Sequence, residues 1–232
     1  SSLADNFSPR LSLTYNLTED QSWKINTSIG RYYKIPTYTM LGFQKPIDDF
    51  VNQNAKYTQS DHAVFGVEYS PGNAARITLE GFYKKYSQYP ISVIDQVSLA
   101  NKGGGFEVLG NEAITSNGKG KSYGVEALYQ QKLAKNFYGV FAYTYFHSQF
   151  TTSKGKFLPS VWDSRHLISF SGGYKLKRNW EISARWRFSG LTPYVPVDLD
   201  GSLAAYPEIV LDYSELGNAK LDPFNLADIR FD

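Results

Sequence analysis

The sequence contains no cysteine, which excludes a disulfide framework and metal sites built from thiolates. It contains no run of about 18 apolar residues, so no transmembrane helix is expected. Lys and Arg (24 residues) are scattered among Asp and Glu (22 residues), without the basic stripe that nucleic-acid binding requires. The lack of cysteine is compatible with a reducing cytosol and with a bacterial outer membrane.

Aromatic residues, in contrast, are abundant. The sequence has 18 Tyr, 15 Phe and 4 Trp, which together make up 16% of its 232 residues. Tyr and Trp combine an apolar ring with a polar tip and are enriched where hydrocarbon meets water. The composition therefore favours a folded chain with an extensive boundary between apolar and polar surroundings.

Apolar and polar residues alternate with a period of two over much of the chain, which predicts β-strands. The clearest case is residues 180–188. There the apolar side chains lie on one face (Trp180, Ile182, Ala184, Trp186 and Phe188) and the polar ones on the other (Glu181, Ser183, Arg185 and Arg187). The same pattern recurs along the chain and predicts about nine strands of roughly 10–12 residues, the length that crosses a bilayer when tilted.

The connections between these strands alternate in length. Short turns are predicted after Leu17, Tyr69, Gln131 and Lys175. Long loops are predicted over residues 34–59, 86–119, 148–162 and 189–224. Barrels of the outer membrane have short periplasmic turns and longer extracellular loops. We therefore predict an all-β fold, an antiparallel transmembrane β-barrel located in the outer membrane and in contact with its lipid.

The alternative is a soluble β-sandwich or barrel, which would alternate in the same way. Strand length, the alternation of short and long connections and the aromatic residues near strand ends favour the membrane barrel. Ordinary soluble strands average nearer five or six residues.

Sequence motifs for catalysis or metal binding are weak. Residues 120–122 (Gly-Lys-Ser) resemble the end of a phosphate-binding loop, but a strand and not a helix follows. The three histidines, His62, His147 and His166, are far apart and lack spaced carboxylate or cysteine partners. We predict no catalytic residue, no metal site, no cofactor and no enzymatic activity.

Seven charged residues lie on the polar faces of predicted strands: Glu68, Glu80, Glu126, Arg185, Arg187, Asp228 and Arg230. In a wide barrel this face lines the lumen or contacts a domain inside it. Mixed-sign charges that pair across strands are the simpler interpretation. Both remain open at this point.

An ordered set of segments resembles the C-terminal barrel region of TonB-dependent outer-membrane receptors. The segments are residues 7–15 (FSPRLSLTY), 30–36 (GRYYKIP), 122–126 (SYGVE), 162–166 (WDSRH), 189–194 (SGLTPY) and 226–231 (LADIRF). The resemblance covers nearly the whole chain. It implies a 22-stranded type of barrel closed by an N-terminal plug domain.

The resemblance also implies a function for the parent protein. Receptors of this family import scarce nutrients such as iron chelates, haem, cobalamin or glycans. Their extracellular loops bind the small nutrient, and the TonB complex pulls on the plug. An outer-membrane enzyme, a protease or a lipase, remains the alternative, as does a soluble β-rich binding module.

The sequence departs from the family pattern in three ways. No plug and no TonB-contacting segment are recognisable, about nine strands are too few for 22, and Asp232 is not the terminal aromatic residue. The start at Ser1 also lacks the charged and apolar segments of a signal peptide. We expect residues 1–232 to be one partial barrel domain of a longer receptor, which would contact TonB through its plug.

Aromatic and polar residues of the long loops are the candidates for contact with the nutrient. They are Tyr38, Phe43, Asp48, Asp49, Tyr86, Tyr89, Tyr194 and Tyr206. The sequence does not identify the nutrient.

Overall fold

The computed structural model describes residues 6–45, 49–102 and 109–232. Within these ranges nine long strands dominate: β1 (Arg10–Asn16), β2 (Trp23–Lys34), β3 (Thr58–Tyr69), β4 (Ala75–Ser92), β5 (Ile114–Ala134), β6 (Phe137–Thr151), β7 (His166–Lys175), β8 (Glu181–Ser189) and β9 (Phe224–Phe231). Each strand pairs antiparallel with the next one along the chain, so the strands form one continuous sheet. The all-β class and the arc of about nine strands predicted from alternation are confirmed.

Smaller elements lie in the connections. They are the helices α1 (Tyr38–Leu41), α2 (Leu99–Lys102) and α3 (Leu199–Ala204), and the short strands Gln44–Lys45, Asp49–Phe50, Phe157–Pro159, Thr192–Pro193 and Lys220–Leu221. The strand Phe157–Pro159 extends the main sheet by pairing with the end of β6. Among the described residues, none of the helices has the length and apolar character needed to cross a membrane.

Short turns join the strands at one end of the sheet, as predicted. The tightest is Lys135–Asn136 between β5 and β6, where φ is +48° and +71°. Positive φ at both central residues is what a type I′ hairpin turn requires, and its twist matches the twist of the strands it joins. Long loops occupy the other end: loop 1 (residues 35–57), loop 2 (93–113), loop 3 (152–165) and loop 4 (190–223).

Loop 2 is shorter than the sequence pattern predicted. We expected it to cover residues 86–119, but β4 continues to Ser92 and β5 begins at Ile114. The register between these strands shifts twice, between Tyr86 and Tyr89 and between Tyr89 and Ile91, and Gln88 has φ +56°. Bulges of this kind interrupt the alternation of side chains without ending the pairing.

The two faces of the sheet differ in chemistry. Directly paired residues lie on the same face, and one row of them comprises Ile25, Val67, Leu79, Ala127, Tyr143 and Ile168. This side is called the apolar face. The adjacent row on the opposite side, the polar face, comprises Asn26, Gly66, Glu80, Glu126 and Thr144.

The apolar face leaves large side chains uncovered. Phe65 and Leu79 are each 55% exposed, and Ile229 is 69% exposed. Soluble monomers rarely expose contiguous apolar surface beyond a few hundred Å². The apolar face therefore has the character of a lipid-contacting surface.

Aromatic residues border the apolar face at both ends. Trp23 stacks on Tyr69 near the short turns, with ring centroids 4.4 Å apart. Near the long loops Tyr83 stacks on Tyr123, and Tyr123 stacks on His147 with centroids 5.2 Å apart. The two rows are six residues apart along β4, or about 20 Å at about 3.3 Å per residue. An apolar stretch bordered by aromatic residues at both ends is the arrangement found on the outside of outer-membrane barrels.

The buried apolar core of the described residues lies at the long-loop end. Its members are Met40, Ile91, Val97, Leu99, Ala100, Phe150 and Leu216, each at most 9% exposed. Only Ile91 and Phe150 belong to the long strands, and both lie near strand ends. The loops therefore pack on one another as a folded unit above the sheet.

Candidate functional site

The polar face brings the seven predicted charged residues to one side of the sheet. By register, Glu68, Glu80, Glu126, Arg185, Arg187, Asp228 and Arg230 all lie on this face. The three glutamates lie on β3, β4 and β5, whereas the three arginines lie on β8 and β9. The seventh, Asp228, lies on β9 opposite Arg185, so charges of both signs occur on this face. Contact of these residues with a plug stays a prediction.

Glu68 is neutralised within the sheet itself. Arg76 Nη2 lies 2.8 Å from Glu68 Oε2, and Lys24 Nζ lies 3.8 Å from Oε1. The Glu68 side chain is only 12% exposed. Its charge is therefore satisfied by neighbouring strands.

Glu80 and Glu126, in contrast to Glu68, have no cationic partner among the described residues. They are direct partners across β4 and β5. Like charges placed directly opposite each other destabilise a sheet. Among the described residues, neither carboxylate belongs to an ion pair of the kind that Glu68 makes. Glu80 also lies over Gly66, where an added Cβ would come within 2.7 Å of Glu80 Cγ. The pair is thus a concentrated negative charge on the polar face.

The basic end of the arc is only partly paired. Arg230 binds Asp232, with Nη2 2.8 Å from Oδ1. Arg185 and Asp228 are register partners. Arg187 lines a shallow depression of about 270 Å³ together with Phe224. This part of the polar face can accept acidic groups.

The predicted loop contacts differ in their surroundings. Tyr38 and Tyr206 are 89% and 85% exposed, and Tyr194 is 37% exposed. Asp49 is exposed and Phe43 is partly buried. Asp48 lies outside the described residues.

Tyr86 and Tyr89 pack under the loops. Their ring centroids lie 5.2 Å and 4.4 Å from the centroid of Phe150, which is 1% exposed. The Trp162 ring meets Phe150 edge-on at 5.8 Å. These tyrosines therefore support the loop core, and a direct contact with the nutrient stays a prediction for them.

Asn52 joins loop 1 to loop 2 and is 2% exposed. Its Nδ2 donates to the carbonyl oxygens of Met40, at 2.8 Å, and Glu112, at 2.7 Å. Its Oδ1 accepts from the amide of Ile114 at 3.0 Å. One amide side chain thus satisfies three backbone groups from segments about 60 residues apart.

Asn101 joins loop 2 to loop 3 in the same way. It is fully buried, and its Nδ2 donates to the carbonyl oxygens of Leu158, at 3.3 Å, and Pro159, at 2.7 Å. The amide of Val161 donates to the carbonyl of Ala100 at 3.1 Å. Loops 1, 2 and 3 are therefore cross-linked by buried hydrogen bonds.

Two charged residues are partly buried in the same region, Lys102 in loop 2 and Asp163 in loop 3. Burial alone would lower the pKa of Lys102, but its hydrogen bonds and ion pairs with Asp95 and Glu112 outweigh burial and raise that pKa. Burial raises the pKa of Asp163 above its ordinary value, although Arg165 opposes this effect. Lys102 therefore joins two parts of loop 2, whereas Asp163 is anchored in loop 3 by the amide of Ser148, which donates to its Oδ1 at 3.1 Å.

A cleft of about 560 Å³ opens beside loop 1. Its polar lining consists of the amides Asn6, Gln53, Asn54 and Gln88, together with Lys56 and Tyr57. No carboxylate lines the cleft among the described residues. Amides, a cation and a phenol suit a polar ligand that is neutral or negatively charged.

Sequence reasoning missed Asn52, Asn101 and the cleft residues. An asparagine between predicted strands is typical of a solvated loop, and its partners are distant in sequence. No local signal distinguishes a buried asparagine from an exposed one.

The histidines do not converge. His62 lies on the polar face, whereas His147 and His166 lie on the apolar face. His147 contacts Tyr145 Oη at 2.8 Å, and His166 contacts Tyr143 Oη at 2.9 Å. Residues 120–122 all belong to β5. In the described part of the chain, no group of three or more histidines and carboxylates is arranged to hold a metal ion.

Comparison with solved structures supports the sheet as part of a larger barrel. The chain is similar to the ferripyoverdine receptor of the outer membrane of Pseudomonas aeruginosa (TM-score 0.65, 14% identity), covering 97% of this chain and 26% of that one. It is similar to the ferric-catecholate import receptor Fiu from E. coli K12 (TM-score 0.66, 12% identity), covering 96% and 28%.

A third similar structure is a variant of the ferric enterobactin receptor PfeA from Pseudomonas aeruginosa, in complex with enterobactin (TM-score 0.64, 20% identity). The match covers 97% of this chain and 32% of that one. This chain therefore spans about a quarter to a third of the length of these structures. A search of curated protein sequences found no match.

The family model described as "TonB dependent receptor-like, beta-barrel" matches residues 1–231. Receptors of this family are outer-membrane proteins, so the apolar face meets lipid and the soluble β-sandwich alternative is excluded. The chain belongs to the β-barrel family of TonB-dependent receptors.

Proposed function

We propose that the chain forms part of the wall of an outer-membrane receptor that imports a scarce nutrient with energy supplied through TonB. The match to the family over residues 1–231 is the observation that carries this proposal. A plug domain and further strands would come from other parts of the parent protein, and residues 1–232 would form one partial barrel domain.

An iron chelate is the nutrient we propose first. Three similar structures are, by name, receptors for ferripyoverdine, ferric catecholates and ferric enterobactin. A copper transporter, OprC, is also similar, with a TM-score of 0.62. The cleft beside loop 1, with Lys56 and Tyr57 and without a carboxylate among its described lining, suits a negatively charged chelate.

A growth experiment tests this proposal. A strain deleted for the complete receptor gene is supplied with single sources of iron chelate, haem, cobalamin or glycan. We expect loss of growth on one or more ferric chelates and its recovery with the intact gene. Growth that depends on the receptor only with haem, cobalamin or a glycan would contradict the choice of an iron chelate. Uptake that is unchanged when TonB is removed would contradict the energy source.

Tyr38 and Tyr206, which are 89% and 85% exposed, are the proposed nutrient contacts most open to solvent. Phe43, Asp49 and Tyr194 are proposed with them, as is Asp48, which lies outside the described residues. We expect Tyr38→Ala and Tyr206→Ala to weaken nutrient binding by about 1–2 kcal/mol each, because exposed aromatic rings that stack on a ligand dominate binding energy. Titration of the intact receptor with the nutrient found by the growth test measures this. Tyr38→Phe and Tyr206→Phe retain the rings and should bind as the wild type does. Equal losses in the Phe and Ala variants would contradict stacking.

The unpaired glutamates Glu80 and Glu126 are the proposed contact of the polar face with the plug. A cation from the plug would relieve the repulsion between two carboxylates that face each other directly. Glu68 already has Arg76 and Lys24 as partners, so a cation from the plug would stabilise it less.

The double substitution Glu80→Gln/Glu126→Gln should loosen the plug in the intact receptor. We expect entry of a large antibiotic to rise about tenfold, because a charge-assisted contact contributes about 1.5–3 kcal/mol. Glu68→Gln is the control and should leave permeability near the wild-type value. A permeability unchanged in the double variant would contradict a plug contact at this pair.

No hydrolytic function is proposed. In the described part of the chain His147 and His166 contact tyrosine hydroxyls, and the Arg165 guanidinium also approaches His147. None of these contacts provides the carboxylate that orients a catalytic histidine.

A further inference from the structure

The end of loop 3 docks on strand β6 around Ser148, which is 1% exposed. The backbone amide of Ser148 donates to Asp163 Oδ1 at 3.1 Å, and its carbonyl oxygen accepts from the amide of Ser160 at 2.9 Å. Its hydroxyl accepts from Trp162 Nε1 at 3.0 Å. Three residues of loop 3 therefore meet one position of β6, and the charged one among them is Asp163.

Asp163 depends on Arg165 for neutralisation. The Asp163 side chain has no exposed surface, and Arg165 Nε lies 3.2 Å from its Oδ2. Among the described residues, Arg165 is the only cation within 4 Å of this carboxylate, and Lys220 of loop 4 acts on it from further away. Removing one partner of a buried ion pair is strongly destabilising, because an uncompensated charge stays buried. Displacement of Arg165 would therefore weaken the docking of loop 3.

The same guanidinium group is shared with His147, which precedes Ser148 on β6. Arg165 Nη1 lies 2.5 Å from Nδ1 and 2.9 Å from Nε2 of the imidazole. A guanidinium group only donates hydrogen bonds, so this contact requires a ring nitrogen that carries a lone pair. A neutral imidazole has one such nitrogen, and a doubly protonated imidazole has none. The contact therefore exists only while His147 is neutral.

The surroundings of His147 offer one carboxylate. Six titratable or charged residues surround the imidazole: Tyr123 and Lys121 of β5, Tyr145 of β6, His166 of β7, and Asp163 and Arg165 of loop 3. His166 reaches it only through the ring of Tyr145, which contacts both histidines. Asp163 is the only carboxylate among the six, and it already pairs with Arg165. Protonation of His147 would therefore set two adjacent cations against one carboxylate.

We propose that His147, Arg165 and Asp163 form a pH-sensitive latch, which holds loop 3 on β6 at neutral pH and releases it in mildly acidic surroundings. An unperturbed imidazole gains its second proton near pH 6.5. Because the guanidinium group is a rigid planar fork, turning Nη1 away from an imidazolium also disturbs the contact of Nε with Asp163. Loops 1 and 2 follow loop 3, since Asn101 and Asn52 join the three loops. The latch thus couples external pH to the opening of the whole loop unit.

The test measures hydrogen exchange of the Ser148 amide in the intact receptor between about pH 8 and about pH 5, as protection relative to the intrinsic exchange rate at each pH. The released loop takes up a proton that the docked loop excludes, so docking is stable above about pH 6.5 and is lost as the pH falls below it. We expect constant protection above about pH 7 and a fall that approaches tenfold per pH unit below about pH 6.5. The Ile114 amide should lose protection over the same range. A flat wild-type profile at Ser148 would overturn the latch, and a flat profile at Ile114 alone would overturn the coupling to loops 1 and 2.

His147→Gln is the decisive variant, because glutamine keeps an acceptor oxygen for Arg165 and takes up no proton. It should retain the wild-type protection of Ser148 down to about pH 5. A fall that persists in this variant would assign the titration to Asp163, whose pKa is raised by burial, and would overturn the role of His147. Protection that is already lost at about pH 8 would show that docking needs the ring and not its protonation state, and would overturn the latch as well.

His166→Gln supplies the matched control. His166 lies on the same face and contacts the Tyr143 hydroxyl at 2.9 Å, but among the described residues it has no contact with a guanidinium group. This variant should keep the wild-type pH profile, and equal flattening in both histidine variants would contradict a sensor at His147. Arg165→Gln leaves Asp163 without its cation, so the Ser148 amide should be poorly protected at every pH. Full protection in that variant would overturn the dependence of loop 3 on Arg165.

Discussion

We expect Val125→Arg to destabilise the intact receptor by about 2–4 kcal/mol, the cost of an arginine near the bilayer midplane on the lipid face of a barrel. Val125 lies on the apolar face between the two aromatic rows and is 44% exposed. Its register partner on β6 is Tyr145, so the guanidinium would have no carboxylate in that row to pair with. Unfolding in urea in the presence of lipid vesicles measures the change in free energy.

Thr144→Arg is the matched control for this substitution. Thr144 lies one register position away, on the polar face, and is paired with Glu126. An arginine there gains a carboxylate partner, so we expect a change below about 1 kcal/mol. Equal destabilisation by both arginines would contradict the assignment of one face to lipid and the other to a hydrated interior.

The strands and their faces could be predicted from sequence because a period of two is a local property. The alternation from Trp180 to Phe188 defines which side chains share a face, and it does so without knowledge of any partner strand. The positions of Arg185 and Arg187 on the polar face follow from this pattern alone. Near Gln88 a bulge interrupts the alternation of β4. The sequence pattern therefore predicts the end of the strand at the bulge, although the strand continues to Ser92.

The pairing between strands could not be predicted from the sequence. This pairing decides which charged residues of the polar face have a partner of opposite charge. Glu68, Glu80 and Glu126 are alike in sequence, each on the polar side of its own strand. Register then places Glu68 beside Lys24 and sets Glu80 against Glu126. A shift of two residues would leave every side chain on its own face and still give these carboxylates other partners, so single-strand patterns do not contain this information.

β4 and β5 carry like charges on both faces, with Glu80 opposite Glu126 inside and Lys85 opposite Lys121 outside. Like charges placed directly opposite each other cost stability in the isolated sheet. Register, and not the pattern of either strand alone, therefore decides where these unfavourable pairs lie.

The packing of the loops is the part of the structure that could least be predicted from the sequence. The Asn52 contacts join segments about 60 residues apart, and closing such a chain segment depends on the whole fold. We expect Asn52→Ala to destabilise the contact between loops 1 and 2 by about 3 kcal/mol. The substitution leaves two carbonyl groups and the amide of Ile114 without their partner, and each such buried group costs about 1–3 kcal/mol.

Hydrogen exchange of the Ile114 amide in the intact receptor measures this loss directly. Since about 1.4 kcal/mol corresponds to a tenfold change, the exchange rate should rise about 100-fold. Asn54→Ala is the matched control, because Asn54 belongs to the same loop and is exposed. An Ile114 exchange rate that rises equally in both variants would contradict a specific bridge at Asn52. If the bridge holds the loops as one unit, Asn52→Ala should also weaken binding at the cleft beside loop 1, whereas mobile, independent loops would leave that affinity unchanged.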